Sequence, residues 1–327
     1  MIKTLLLFLL SILFGGIIFV YVGNTFGWDF ILSSFKIFLN LEGFLIIILS
    51  FFIAFLGALR WKKIIGEKSI SNNELFKIYI GGFSVMYLFP MVILGSEFFR
   101  ASLLEHKEKI GWDKALASVF IERIIEWTIN IIVIITGVLY FFYAIQKPSQ
   151  NLAIIFAVSI AITLIIFITI YFYIFKKKSF LRNILLKTNK GNYEESLAIK
   201  VEKIVFEYFD IKNINLWKGY FLSILKVLAM LLRIWLIIFF LNNILGFMES
   251  FSILGFSFLS TLIPIPAALG IQELIQAFAF ENLNINLGVS NGFSMLLRAG
   301  DVIVSITGFV LFFKAGYDFL RNKVLQK

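Results

Sequence analysis

The chain has 327 residues, of which 60% are hydrophobic and only 15% charged, with a mean hydropathy of +0.93. A soluble domain of this length cannot hide so much apolar surface, so the composition excludes an ordinary soluble enzyme and points to the membrane. The net charge of +10 needs no nucleic acid to explain it, because membrane proteins keep Lys and Arg on the cytoplasmic side for insertion.

No ten-residue stretches of alternating polarity suggest a β-barrel, so helices remain. Met1 to Gly23 holds Lys3 and then an unbroken apolar run with no small-residue cleavage site after it, which reads as an uncleaved first helix. Full spans are expected near 4–22, 41–59, 115–145, 151–175, 219–245 and 293–313. Two further apolar segments are interrupted, Leu75 to Leu104 at Pro90 and Gly95, and Phe251 to Phe280 at Pro264, Pro266 and Gly270. Mid-helix Pro removes a hydrogen bond and clashes with the preceding turn, so each segment is expected to break and turn back.

Charge decides whether the broken segments cross. If both turn back, 24 of the 30 Lys and Arg fall on one side, only Lys36 and Lys147 on the other, and Arg123, Lys226, Arg233 and Arg298 lie within spans. A single crossing by the first would send the ten basic residues of 176–218 outward, against the positive-inside bias. Both termini are then cytoplasmic, in a prokaryotic-type plasma membrane. Within 176–218, Leu197, Val201, Ile204 and Tyr208 recur at helical spacing, predicting an amphipathic helix on the inner leaflet. Trp61, Trp112, Trp127 and Trp217 read as interfacial belt residues.

The broken segments resemble each other. Gly82-Phe83-Ser84 matches Gly255-Phe256-Ser257, and each triplet is followed by a Pro, then by Gly95 and Glu97 or by Gly270 and Glu273. Arg123 comes 26 residues after Glu97 and Arg298 comes 25 after Glu273, and each Arg has an acid three residues on, Glu126 or Asp301. The charge-derived orientation makes the repeat inverted. The expectation is a single polytopic all-α domain: six transmembrane helices plus two re-entrant hairpins, with repeat units at about 41–145 and 219–313 joined by 151–218. Inverted repeats with broken helices are the architecture of alternating-access transporters.

Charges inside a membrane are functional candidates. Arg123 with Glu126, and Arg298 with Asp301, each share a helix face. The plainer reading is that each Arg only neutralises its neighbouring acid or the Glu of its own hairpin. Half-helix N-termini after Pro90 and after Pro264 or Pro266 attract anions, and with the two arginines they suit a phosphate; turn-making alone also explains those prolines. Glu97 and Glu273 are placed to carry coupling protons or to pair with the arginines. Arg233 falls near mid-membrane, Lys226 is expected to snorkel toward the cytoplasm, and Arg100 reads as an interfacial anchor or headgroup contact. No catalytic constellation, phosphate loop, metal-spaced His/Cys set or cofactor motif is present in the sequence.

The stretches IYIGGFSVMYLFPMVILGSEFFRASLL, ASVFIERIIEW, STLIPIPAALGIQE and MLLRAGD resemble the lysylphosphatidylglycerol synthase/flippase membrane-domain family, over nearly the whole chain. The resemblance implies lipid translocation or a membrane platform for lipid modification. Bifunctional members attach lysine to phosphatidylglycerol with a soluble C-terminal domain, which a chain ending at Lys327 is expected to lack. The leading expectation is a flippase for an anionic or phosphate-bearing lipid. The alternatives are a membrane-embedded lipid aminoacyltransferase and a scaffold for a lipid-modifying enzyme.

Overall fold

Helix is the only regular secondary structure among the described residues of the computed structural model, which are 33–67, 69–88, 95–147, 149–179, 196–262 and 270–325 with isolated positions 20, 24 and 28. After a 3-10 turn at Phe35–Leu39 come α1 (Leu41–Ile65), α2 (Asn72–Leu88), α3 (Gly95–Glu108) and α4 (Trp112–Tyr140), the last running into a π turn at Phe141–Ile145. Then follow α5 (Gln150–Lys176), α6 (Leu197–Tyr208), α7 (Ile214–Phe240), α8 (Phe247–Ser260), α9 (Ile271–Asn282) and α10 (Leu287–Leu325). Four stretches are long and apolar enough to cross a membrane: Leu41–Ile65, Trp112–Ile145, Ile214–Phe240 and Leu287–Phe312.

Helix ends follow local chemistry. Gly66 terminates α1 in the left-handed region (φ 77°), and Lys62 and Lys63 in the last turn complement the helix dipole. Asn213 caps α7 by accepting from the Asn215 N–H at 3.0 Å, so α7 starts five residues earlier than the expected span and closes at Phe240. Within the apolar stretches, Ser50, Ser84 and Ser257 each return their hydroxyl to the carbonyl four residues back, which lets a polar side chain sit in a dry interior.

Each interrupted segment is two helices packed on each other, α2 with α3 and α8 with α9. Gly95 opens α3, and Gly270 precedes α9 at φ 79°, a conformation that favours glycine. Pro90, Pro264 and Pro266 lie outside the described residues, as does the expected span 4–22 apart from Val20.

Two features position the interior. The first is that α1 and α7 pack antiparallel: Ser50 of α1 meets Arg233 of α7, and Arg60, ten residues further along α1, meets Ser223, ten residues earlier in α7. The second is an exchange of arms. α2 lies against α10, where the Ser84 hydroxyl shares its one proton between the Ile80 carbonyl and the Ser305 carbonyl, 2.6 Å away, and Gly308 meets the Ile80 carbonyl. α8 lies against α4, where a Cβ on Gly255 would sit 3.1 Å from the Val133 carbonyl and one on Gly137 3.1 Å from that of Phe251. The first arm of each interrupted segment thus rests on the long helix of the other sequence unit.

The amphipathic helix expected within 176–218 is α6, which turns Val201 and Val205 onto α4, because a neighbouring apolar helix face is available to cover them. Two expectations need correction. Trp61 is no belt residue: it is fully buried and donates to Ser118 at 3.1 Å. Arg60 and Arg100, both counted with the loop charges, are 1% and 3% exposed.

Candidate functional site

A cavity of about 320 Å³ opens between the two sequence units. Its charged lining comes from four helices: Arg100 on α3, Arg123 and Glu126 on α4, Lys226 and Arg233 on α7, and Asp301 on α10. The rest of the wall mixes aromatic and thioether side chains, among them Tyr79, Phe83, Tyr87, Trp127, Met86 and Met230, with aliphatic residues and the polar Asn130, Ser257, Thr261 and Gln272. Such a chamber offers charge to a polar group and soft apolar surface to whatever is attached to it.

The charges are held in a network. Arg123 bonds Glu97 at 2.5 Å and Glu126 at 3.1 Å, so the first-unit arginine serves both its own neighbour and its hairpin carboxylate. Arg298 pairs with Glu273 at 2.6 Å, the equivalent of the Arg123–Glu97 pair. Asp301 is taken by Arg233 at 2.7 Å, and Glu126 receives Lys226 at 2.5 Å. Two cations seven residues apart on α7 thereby hold the equivalent acids of the two units. Lys226 does not snorkel; it is 9% exposed, because a buried carboxylate gives the ammonium a partner inside.

Arg60 and Glu122 escaped sequence reasoning. Glu122 is fully buried, with Arg60 on one oxygen and Arg100 at 2.8 Å on the other. Arg60 also lies 3.3 Å from Glu126. Arg100 is not an interfacial anchor: its guanidinium stands over the Trp61 ring at 4.9 Å and the Tyr79 ring at 5.3 Å from the centroids, positions favourable to a desolvated cation. Glycines make room for the buried guanidiniums. A Cβ on Gly82 would run into the Arg100 stem, and one on Gly300 would sit 2.6 Å from Ser50 Oγ, the acceptor of Arg233.

Of the eight residues expected from sequence, Arg100, Arg123, Glu126, Arg233 and Asp301 line the cavity, and Glu97 is bonded to one of them. Glu273 and Arg298 are brought together but do not line it. Arg123 and Asp301 have the most exposed side chains in the buried network, at 22% and 28%. A polar ligand in the cavity therefore meets one accessible group from each sequence unit.

A family model described as "Lysylphosphatidylglycerol synthase TM region" matches residues 4–308. The UPF0104 membrane protein of Methanocaldococcus jannaschii is 24% identical over 324 residues, which cover 94% of this chain and 94% of that protein. No solved structure matches.

Proposed function

The chain belongs to the lysylphosphatidylglycerol synthase TM-region family of membrane proteins, and from that premise we propose that it is a flippase for a lipid with an anionic or phosphate-bearing headgroup. The observation that carries the reading is the central cavity with Arg100, Arg123, Lys226 and Arg233 in its wall. At roughly 30 Å³ per water, its 320 Å³ suits a small headgroup such as a substituted phosphodiester. The acyl or prenyl chains remain in the bilayer.

The antiparallel α1 and α7, and the reciprocal packing of α2 on α10 and α8 on α4, support an inverted repeat. In it α2–α3 and α8–α9 are re-entrant hairpins entering from opposite faces. Alternating access then consists of one unit rocking against the other about a fixed central site. An anionic headgroup at Arg123 competes with Glu97 and Glu126 for the guanidinium, so binding loosens the link between α3 and α4. Burial strengthens each such contact and raises the penalty for an unpaired charge. Loading the site is thereby tied to movement of the hairpin.

The test is purified protein in vesicles carrying fluorescent lipids with anionic, zwitterionic and uncharged headgroups, read by an impermeant quencher. We expect protein-dependent exchange of the phosphate-bearing lipids, slowed at least about tenfold by Arg123→Ala, the loss of one charge-assisted contact. Exchange no faster than in empty vesicles, or a wild-type rate in Arg123→Ala, overturns the reading. A new headgroup-modified lipid made by this chain alone would support the aminoacyltransferase instead.

A further inference from the structure

The two sequence units differ in a way that lipid handling does not use. In the first, Arg100 stands three residues after Glu97 and bonds Glu122, the residue before Arg123. In the second, Gln276 stands three after Glu273, and Leu297 precedes Arg298. A fixed cation and its carboxylate are replaced by a neutral amide and an alkyl chain.

Around this replacement the interior is rich in unpartnered polar atoms. Gln276 is fully buried, and its Nε2 donates to Ser257 Oγ at 2.7 Å and the Ile253 carbonyl at 3.3 Å. Because the Ile253 carbonyl can only accept, the amide orientation is fixed, and Oε1 is left without a hydrogen-bond partner. On α10, Asn291 Oδ1 and Nδ2, Ser290 Oγ and Ser294 Oγ are fully buried and equally unpartnered. Two contacts fix how α9 meets α10: the Glu273–Arg298 ion pair at 2.6 Å, and Phe280 with Phe293 at 5.2 Å between ring centroids. Gln276 lies about one turn from both Glu273 and Phe280, and Ser294 lies about one turn before Arg298 on the face of α10 that carries the ion pair. Asn291, Ser294 and Arg298 follow one another along a single face of α10. Each buried polar group without a partner forfeits its hydration with nothing in return, and native interiors do not gather several without a reason.

We propose that the α9–α10 interface binds a monovalent cation, sodium by its donor set. The donors are the Gln276 and Asn291 carbonyls, the Ser294 hydroxyl and a carboxylate oxygen of Glu273. All are hard oxygen ligands, and a carboxylate can face Arg298 with one oxygen and a metal ion with the other. Charge balance agrees. Arg60, Arg100, Arg123 and Lys226 face Glu97, Glu122 and Glu126 in one network, so it carries one excess positive charge. Arg233 with Asp301 and Arg298 with Glu273 form two further pairs, each neutral. One monovalent ion at the Arg298–Glu273 pair gives the second unit the same excess of one positive charge. A divalent ion exceeds it, and no group of three Asp, Glu or His suited to one occurs among the described residues. The exchangeable ion takes the place of Arg100, and its binding requires no lipid.

The experiment is thermal unfolding of the purified full-length protein in detergent, without added lipid, in NaCl, KCl or choline chloride at equal ionic strength. Sodium should raise the unfolding temperature saturably by at least about 3 °C over choline, as a ligand that binds only the folded state does. Asn291→Ala and Ser294→Ala should each remove the sodium response. Gln276→Arg, which restores a built-in cation, should abolish it while unfolding in choline no lower than the wild type. Ser305→Ala, another fully buried serine on α10 whose hydroxyl is unpartnered, should keep it. Equal unfolding in sodium and choline overturns the proposal, leaving ordered water as the occupant. So does a potassium response equal to that of sodium, or a sodium response that survives both Asn291→Ala and Gln276→Arg. None of these outcomes depends on the vesicle assay, so either proposal can fail alone.

Discussion

Arg233 of α7 donates to Ser50 of α1 at 2.8 Å, and the mirrored bond runs from Arg60 of α1 to Ser223 of α7 at 3.0 Å. In a two-fold arrangement residue i meets j wherever j meets i, and Ser50–Arg60 and Ser223–Arg233 have the same ten-residue spacing. Each serine accepts from a buried guanidinium, a bond worth about 1.5–3 kcal/mol. Ser50→Ala and Ser223→Ala should each lower thermal stability by that order. The sites are about 15 Å apart along the helices, so the double variant should be additive within about 0.5 kcal/mol. Strong non-additivity in detergent unfolding would mean that the two bonds are not independent copies of one contact.

Glu122 is the hub of the buried charges, and its removal strands Arg100 and leaves Arg60 only the longer contact with Glu126. Glu122→Leu should destabilise by about 3–5 kcal/mol, the range for breaking a buried pair. Replacing Glu122, Arg60 and Arg100 together by apolar residues of similar size should recover much of that loss, because no buried charge is then left alone. Unfolding of the single and triple variants checks it. A triple variant less stable than Glu122→Leu would show that Arg60 still needs to neutralise Glu126.

The Arg123–Glu97 and Arg298–Glu273 partnerships were legible because the Glu-to-Arg spacing occurs twice in the sequence. Arg60 was not. It lies one residue beyond the expected span 41–59, where a Lys/Arg is normally an interfacial charge, and only the Ser50–Arg60 and Ser223–Arg233 spacing hinted otherwise. Glu122 was overshadowed by its neighbour Arg123. Consecutive helical residues point about 100° apart, so Glu122 faces α1 and α3 while Arg123 reaches the cavity. Lys226 has no counterpart in the first unit: the position equivalent to it in α1 is Ile53. Its partner Glu126 is a hundred residues away in sequence, so only tertiary contact reveals the pair.

The arm exchange makes two glycines unequal. A Cβ on Gly308 would be driven into the Ile80 carbonyl and the Ser84 hydroxyl, whereas one on Gly255 would meet the Val133 carbonyl at 3.1 Å. Backbone cannot swing aside as a side-chain tip can, so Gly308→Ala should destabilise by about 1–3 kcal/mol, the usual penalty for overpacking. Gly255→Ala should lose less. Comparing their unfolding temperatures tests whether α2 really sits that closely on α10; equal and negligible losses would deny it.

The orientation of the two units can be read with single cysteines, since the chain contains none of its own. The turns from α3 to α4 and from α9 to α10 are built alike, with Lys109 (φ 55°) and Asn284 (φ 58°) in the left-handed region. Lys107 and Glu281 are exposed two and three residues before those positions, at the ends of α3 and α9. Under an inverted arrangement these equivalent ends lie on opposite faces of the membrane. Lys107→Cys should therefore react with an impermeant thiol reagent only from the face that also exposes Lys212→Cys in the loop before α7. Glu281→Cys should react only from the other face. Labelling of Lys107→Cys and Glu281→Cys from one face would make the two units parallel. The antiparallel contacts of α1 with α7 could then not bring the hairpins in from opposite faces, and a headgroup would have no symmetric route through the cavity.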